Sequence, residues 1–219
     1  MIKAILFDFD GTLSNRQLSA YRKYQDVVGK IFPDLAKGSI EFEGIVQRMM
    51  TWDEFGTIAK KHVYEQLSAK YDLDLDIDYW VKEWYSNFHL FNVLQDDCLE
   101  VLSKLHQDYK IGCITNGPYD TQMLKLEHTK VLEHFDVCLI SKQVGIDKPD
   151  KKIFEMAATQ LGLPCEQIAY VGDNFYADIY GAINCGMLPI WFFTDPKRIS
   201  DINVQRIYEF KELLTIFKK

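Results

Sequence analysis

Five apolar runs of strand length punctuate the chain: Ile2 to Phe7, Lys110 to Thr115, Asp136 to Ile140, Ile168 to Val171 and Leu188 to Phe193. Between the later runs, apolar positions recur at helical spacing. Leu94, Cys98, Val101, Leu102 and Leu105 form one stripe, and Ile153, Phe154, Ala157, Ala158 and Leu161 another. A strand that is apolar throughout must be covered on both faces. Such strands alternating with amphipathic helices predict an α/β fold: a doubly wound, Rossmann-like parallel sheet flanked by helices.

Residues 15 to 92 follow a different rule, because no strand pattern interrupts them. Leu18, Tyr21, Gln25, Val28 and Phe32 form a mostly apolar helical stripe, and Phe42, Ile45, Val46 and Met49 a second. Thr51-Trp52-Asp53-Glu54 matches a capping box, predicting the start of a helix that carries Phe55, Ile58, Ala59, Val63 and Leu67. Ile77, Val81, Trp84, Tyr85 and Phe88 make a fourth stripe. The expected organisation is a core of residues 1–14 and 93–219 with an all-helical insert of residues 15–92.

Composition narrows the function classes. With 219 residues, 47% hydrophobic and 26% charged, the chain can bury a core without disulfide staples. A net charge of -7 argues against nucleic acid as a partner, since phosphate backbones are held by surplus Lys and Arg. The five cysteines are odd in number and lack a Cys-x-x-Cys spacing, which fits reduced thiols rather than a zinc site. Met1 to Phe7 runs straight into the first motif and no apolar run reaches membrane-span length. A cytoplasmic protein with neither signal peptide nor membrane partner is therefore expected. Nothing in the sequence sets an oligomeric state.

Four polar motifs follow four of the strands, at the sheet edge where open parallel sheets bind ligands. The first is Asp8-Phe9-Asp10-Gly11-Thr12. Strand alternation puts both carboxylates on one side, so that one can attack phosphorus while the other exchanges protons with the leaving oxygen and with water. The second is Ile114-Thr115-Asn116-Gly117, offering a hydroxyl and backbone N–H groups suited to phosphate oxygens. The third is Asp147-Lys148-Pro149-Asp150, in which Pro149 favours an extended Lys148 and Asp150 can cap the next helix. The fourth is Val171-Gly172-Asp173-Asn174, followed by Asp178. Asp173 beside Asp8 would give a hard, oxygen-rich magnesium site. Asp178 could orient Lys148 or a metal-bound water, or act only as a helix N-terminal acid. Taken singly, the second and third motifs read as an ordinary turn and a surface lysine; their convergence with the first and fourth changes the picture.

In this order and spacing the four motifs resemble those of the haloacid dehalogenase (HAD) superfamily, over about two thirds of the chain. The resemblance implies a magnesium-dependent phosphatase with Asp8 as nucleophile and Asp10 as general acid/base. It further implies that Asp8, the Asp10 carbonyl and Asp173 are metal ligands, that Thr115, Asn116 and Lys148 bind phosphate, and that Asp178 supports them. The position of the insert resembles the family's C1-type cap, which closes over the site. The implied partner is a small phosphorylated metabolite such as phosphoglycolate, a sugar phosphate or a nucleoside monophosphate. A β-phosphoglucomutase-like phosphotransferase would use the same motifs. Dehalogenase members lack an acid at the position of Asp10, so its presence favours phosphoryl transfer, and the intact set argues against a non-catalytic binding protein. Asp72, Asp74, Asp76 and Asp78 alternate with apolar residues, and Ile77 stands where a calcium loop needs Gly, so they read as a polar connection.

Overall fold

The computed structural model describes residues 1–193 and 201–218. Its internal contacts divide the chain into two compact units, Met1–Asn15 with Leu94–Lys219, and Arg16–Val93.

Among the described residues the first unit holds a six-stranded sheet: β1 (Ala4–Phe7), β2 (Lys110–Thr115), β3 (Val137–Ile140), β4 (Ile168–Gly172), β5 (Leu188–Phe192) and β6 (Gln205–Ile207). The order is β3-β2-β1-β4-β5-β6 and every pairing is parallel, as the apolar runs predict. Strand alternation sorts β1 between two cores. Ile5 and Phe7 join the cluster on one face, and Ala4 and Leu6 the cluster on the other. Phe7 lies opposite Cys113 on one side and Val171 on the other, so Asp8 emerges level with the ends of β2 and β4. β6 escapes the sequence pattern because only Ile207 of its three residues is buried, the mark of a short polar edge strand.

The second unit contains α1 (Arg16–Ile31), α2 (Ile40–Asp53), α3 (Lys60–Tyr71) and α4 (Ile77–Asn87). Phe42, Ile45, Val46 and Met49 of α2 are buried as their spacing predicts, together with Val63, Tyr64 and Leu67 of α3 and Trp84 of α4. Two expectations need correction. In the first stripe only Val28 is fully buried; the inward face of α1 is rotated to Ser19, Ala20, Lys23, Tyr24, Val27 and Val28. The disguise is Lys23, a charged residue with no solvent exposure, whose Nζ sits 2.8 Å from Glu83 Oε1 and 2.7 Å from Oε2. The capping-box reading is also wrong. Thr51 to Asp53 form the last turn of α2, which ends at Glu54 in a left-handed conformation (φ 41°), and α3 begins only at Lys60. Asp53 is instead a buried acid that accepts from the Tyr24 hydroxyl at 2.9 Å and pairs with Lys60 and Arg16. In the Asp72 to Asp78 stretch, Asp72 ends α3 in a left-handed conformation and Asp76 caps α4 by accepting from the Tyr79 N–H.

The Lys23–Glu83 pair makes a stability prediction. Burial alone would raise the Glu83 carboxyl, but hydrogen bonds from Lys23 and Lys30 outweigh it and hold the group below its ordinary value. A depressed carboxylate contributes stability that is complete above its unfolded pKa and is lost as pH falls through its folded one. Glu83→Gln removes the nearer carboxylate from a buried ammonium that keeps Asp26 at 3.2 Å, so thermal unfolding at neutral pH should report a loss of about 2 kcal/mol. The same variant should show a flatter loss of stability on acidification.

The core closes across the point of insertion. The Gln95 N–H donates to Leu13 O at 2.9 Å, and Ser14 pairs with Leu94. The remaining helices are α5 (Cys98–Leu105), α6 (Tyr119–His128), α7 (Ser141–Val144), α8 (Lys151–Leu161), α9 (Gly181–Cys185) and α10 (Leu213–Ile216). α5, α6 and α10 contribute to one apolar cluster and α8 and α9 to the other, which covers both faces of the sheet. Among the described residues no helix is long and apolar enough to cross a membrane.

Candidate active site

The polar segments after β1, β2, β3 and β4 meet at one sheet edge, and Lys148 is their hub. Its ammonium lies 2.7 Å from Asp8 Oδ1, 2.7 Å from Asp178 Oδ1 and 2.9 Å from the Tyr170 hydroxyl. An ammonium has three donors, and here each has an acceptor. The hydroxyl of Tyr170 in turn donates to Ile114 O at 3.0 Å. The main chain of Lys148 is fixed by the Asn116 carboxamide, which donates to Lys148 O at 3.0 Å and accepts from its N–H at 2.9 Å. The Asn116 side chain thus sets the lysine in place. Asp150 accepts from the Lys152 N–H and caps α8, as expected.

Asp178 does not sit at a simple helix start. It lies within a π-helical turn, Phe175–Tyr180, and its second oxygen accepts from the Asn174 N–H at 3.0 Å. Its side chain packs so tightly on Gly172 that a Cβ there would overlap the Asp178 Cβ and carboxyl carbon, so only glycine fits at the end of β4. Gly11 plays a comparable part after β1, with φ 97° and a position at which a Cβ would come 2.7 Å from the Asp173 carboxyl. The Trp191 indole N–H from β5 donates to Asp173 O at 2.9 Å.

Asp8, Asp173 and Asp178 each bring a carboxylate oxygen within 4.8 Å of the others. Burial pushes the Asp8 carboxyl well above its usual range and the negative charges of Asp178 and Asp173 add to this, while Lys148 opposes. Burial also works against the Lys148 ammonium, but Asp178 and Asp8 outweigh it and hold its pKa well above the usual lysine value. Lys148 pairs with two of the three clustered acids, Asp8 and Asp178. This donor set of hard oxygens suits a divalent cation such as magnesium.

Asp10 stands beside this cluster in a second one. Its Oδ2 is 2.7 Å from Lys125 Nζ and 3.1 Å from Gln122 Nε2, and the same Gln122 nitrogen lies 2.5 Å from Thr115 Oγ1. All seven residues singled out in the sequence therefore gather at one sheet edge. Gln122, Lys125 and Tyr170 join them without having been singled out. Tyr170 sits inside an apolar strand and reads as core. Gln122 and Lys125 carry a signal only as two polar residues spaced to share one face of α6 beside the buried Leu126.

Comparison with known proteins gives a consistent picture. The family model for haloacid dehalogenase-like hydrolases matches residues 5–192. Glyceraldehyde 3-phosphate phosphatase of Pyrococcus abyssi is 30% identical over 88% of this chain and 82% of its own. Pyrimidine 5'-nucleotidase YjjG of Escherichia coli is 36% identical over 122 residues, 53% of this chain and 54% of that protein, so the likeness spans about half of each. The HAD-hydrolase YfnB of Bacillus subtilis, crystallised with magnesium, superposes with a TM-score of 0.78 at 21% identity, covering 100% of this chain and 99% of that one.

Proposed function

Because the chain belongs to the haloacid dehalogenase-like hydrolase family, we propose that it is a magnesium-dependent phosphatase that hydrolyses a small phosphate monoester through an aspartyl phosphate. An Asp8 oxygen bonds to phosphorus as the bond from phosphorus to the ester oxygen breaks, and Asp10 gives that oxygen its proton. Water then attacks the same phosphorus, Asp10 takes a proton from that water, and the bond to Asp8 breaks to release phosphate. Lys148, held in place by its contacts to Asp8, Asp178 and Tyr170, balances charge on the phosphoryl oxygens. The Thr115 hydroxyl and the Asn116 N–H contribute hydrogen bonds to them. Asp8, Asp173 and the Asp10 carbonyl would hold magnesium, which when bound supplies further positive charge to the phosphoryl group. We assign the helical unit, Arg16–Val93, the selecting role of a cap.

The observation that carries this reading is Asp10, a second carboxylate two residues beyond the nucleophile with its own anchoring partners. Halide departure needs no proton, whereas an alkoxide does. The similarity to glyceraldehyde 3-phosphate phosphatase and to a 5'-nucleotidase supports the same reading. The test is a phosphate-release screen with magnesium that begins with triose phosphates and pyrimidine nucleoside monophosphates and includes 2-haloacids. Phosphate release is expected, and halide release without it would overturn the reading. Adding excess chelator should bring turnover to background and magnesium should restore it; undiminished turnover in chelator would refute the metal role.

A further inference from the structure

We infer that Lys125 and Gln122 are positioning residues for Asp10, fixing its carboxylate by one oxygen and tying it to the phosphate-binding end of β2; this rests on the phosphatase reading above. The two residues are three apart on α6 and so share a face, and α6 is anchored in the core through Leu126. Both are buried: Gln122 is 2% exposed and Lys125 7%. A lysine withdrawn from water costs stability unless it is paired, and the partner of Lys125 is Asp10 Oδ2 at 2.7 Å. The Gln122 nitrogen carries two protons, enough to reach Asp10 Oδ2 and Thr115 Oγ1 together. One helix face thus sets both the proton-exchanging carboxylate and the hydroxyl after β2. Asp10 lies in the turn beyond β1, where a bridge to Ser14 ties its main chain and the α6 residues hold its carboxylate; a displacement of about 1 Å at such a group can cost on the order of 100-fold in rate.

The experiment compares two esters in single-turnover measurements of leaving-group release. An alkyl phosphate needs its departing oxygen protonated, whereas 4-nitrophenyl phosphate releases a stable nitrophenolate. Lys125→Met should slow alkyl release by about 10-fold to 100-fold and leave nitrophenolate release within about twofold of wild type. Asp10→Asn should give the same split, and the double variant should fall no further than Asp10→Asn alone, because Lys125 acts through Asp10. Lys125→Arg, which keeps a cation, should recover part of the alkyl rate. If Lys125→Met fails to fold, Gln122→Leu leaves the ion pair in place and should show the same excess loss on the alkyl ester, on top of a loss common to both esters because Gln122 also holds Thr115. Equal losses on both esters, or losses that multiply in the double variant, would overturn the inference. A wild-type protein that releases neither leaving group would overturn the phosphatase reading itself, and the inference with it.

Discussion

Asp8→Asn is expected to reduce phosphate release on the order of 10,000-fold or more, since it removes the carboxylate proposed to attack phosphorus. Its effect on stability should run the other way. Asp8 is 7% exposed, and burial together with Asp178 and Asp173 disfavours its charged form. Asparagine has nearly the same shape and no charge, and Lys148 retains Asp178 and Tyr170 as partners. The thermal midpoint of the variant should therefore equal or exceed that of the wild type while turnover disappears. Measurable turnover by a folded Asp8→Asn protein would end the nucleophile assignment.

Lys148→Met should combine a large loss of activity with the opposite stability result. The variant removes the charge proposed to balance the phosphoryl oxygens, a term worth on the order of 1,000-fold in rate. It also leaves Asp8 and Asp178 facing each other without the ammonium that lies 2.7 Å from each. Breaking a buried ionic cluster from the cationic side costs about 3 to 5 kcal/mol. The paired measurements separate two kinds of participant: a proposed nucleophile held at a cost to the fold, and a cation proposed to serve both the fold and the chemistry. Unchanged stability in Lys148→Met would mean that the cluster relaxes around the loss.

The features of the fold that were legible from sequence are those written in apolar residues. Five strands and the helices α5 and α8 follow from burial on both faces or on one stripe. Elements that bury charge are not legible in this way. Lys23 hides the inward face of α1, and Asp53, a buried acid, mimics part of a helix start. At the site, residues in motifs at strand ends were visible because polar residues interrupt an apolar pattern there. Tyr170 and Gln122 were not, since each sits inside an element and serves the site only through three-dimensional contacts.

The closure between Leu13 and Gln95, and between Ser14 and Leu94, has a consequence for how such a protein can diversify. The ends of the 78-residue stretch from Arg16 to Val93 are held together by the core's own hydrogen bonds, so the sheet does not depend on what lies between them. The entropy of closing a longer or shorter excursion there grows only slowly with its length. The chain is therefore built like a socket with an interchangeable fitting. Helical modules of different size can be exchanged at Asn15 and Leu94 while the carboxylates at the sheet edge keep their places, so the proposed selecting unit and the proposed reacting groups can change separately.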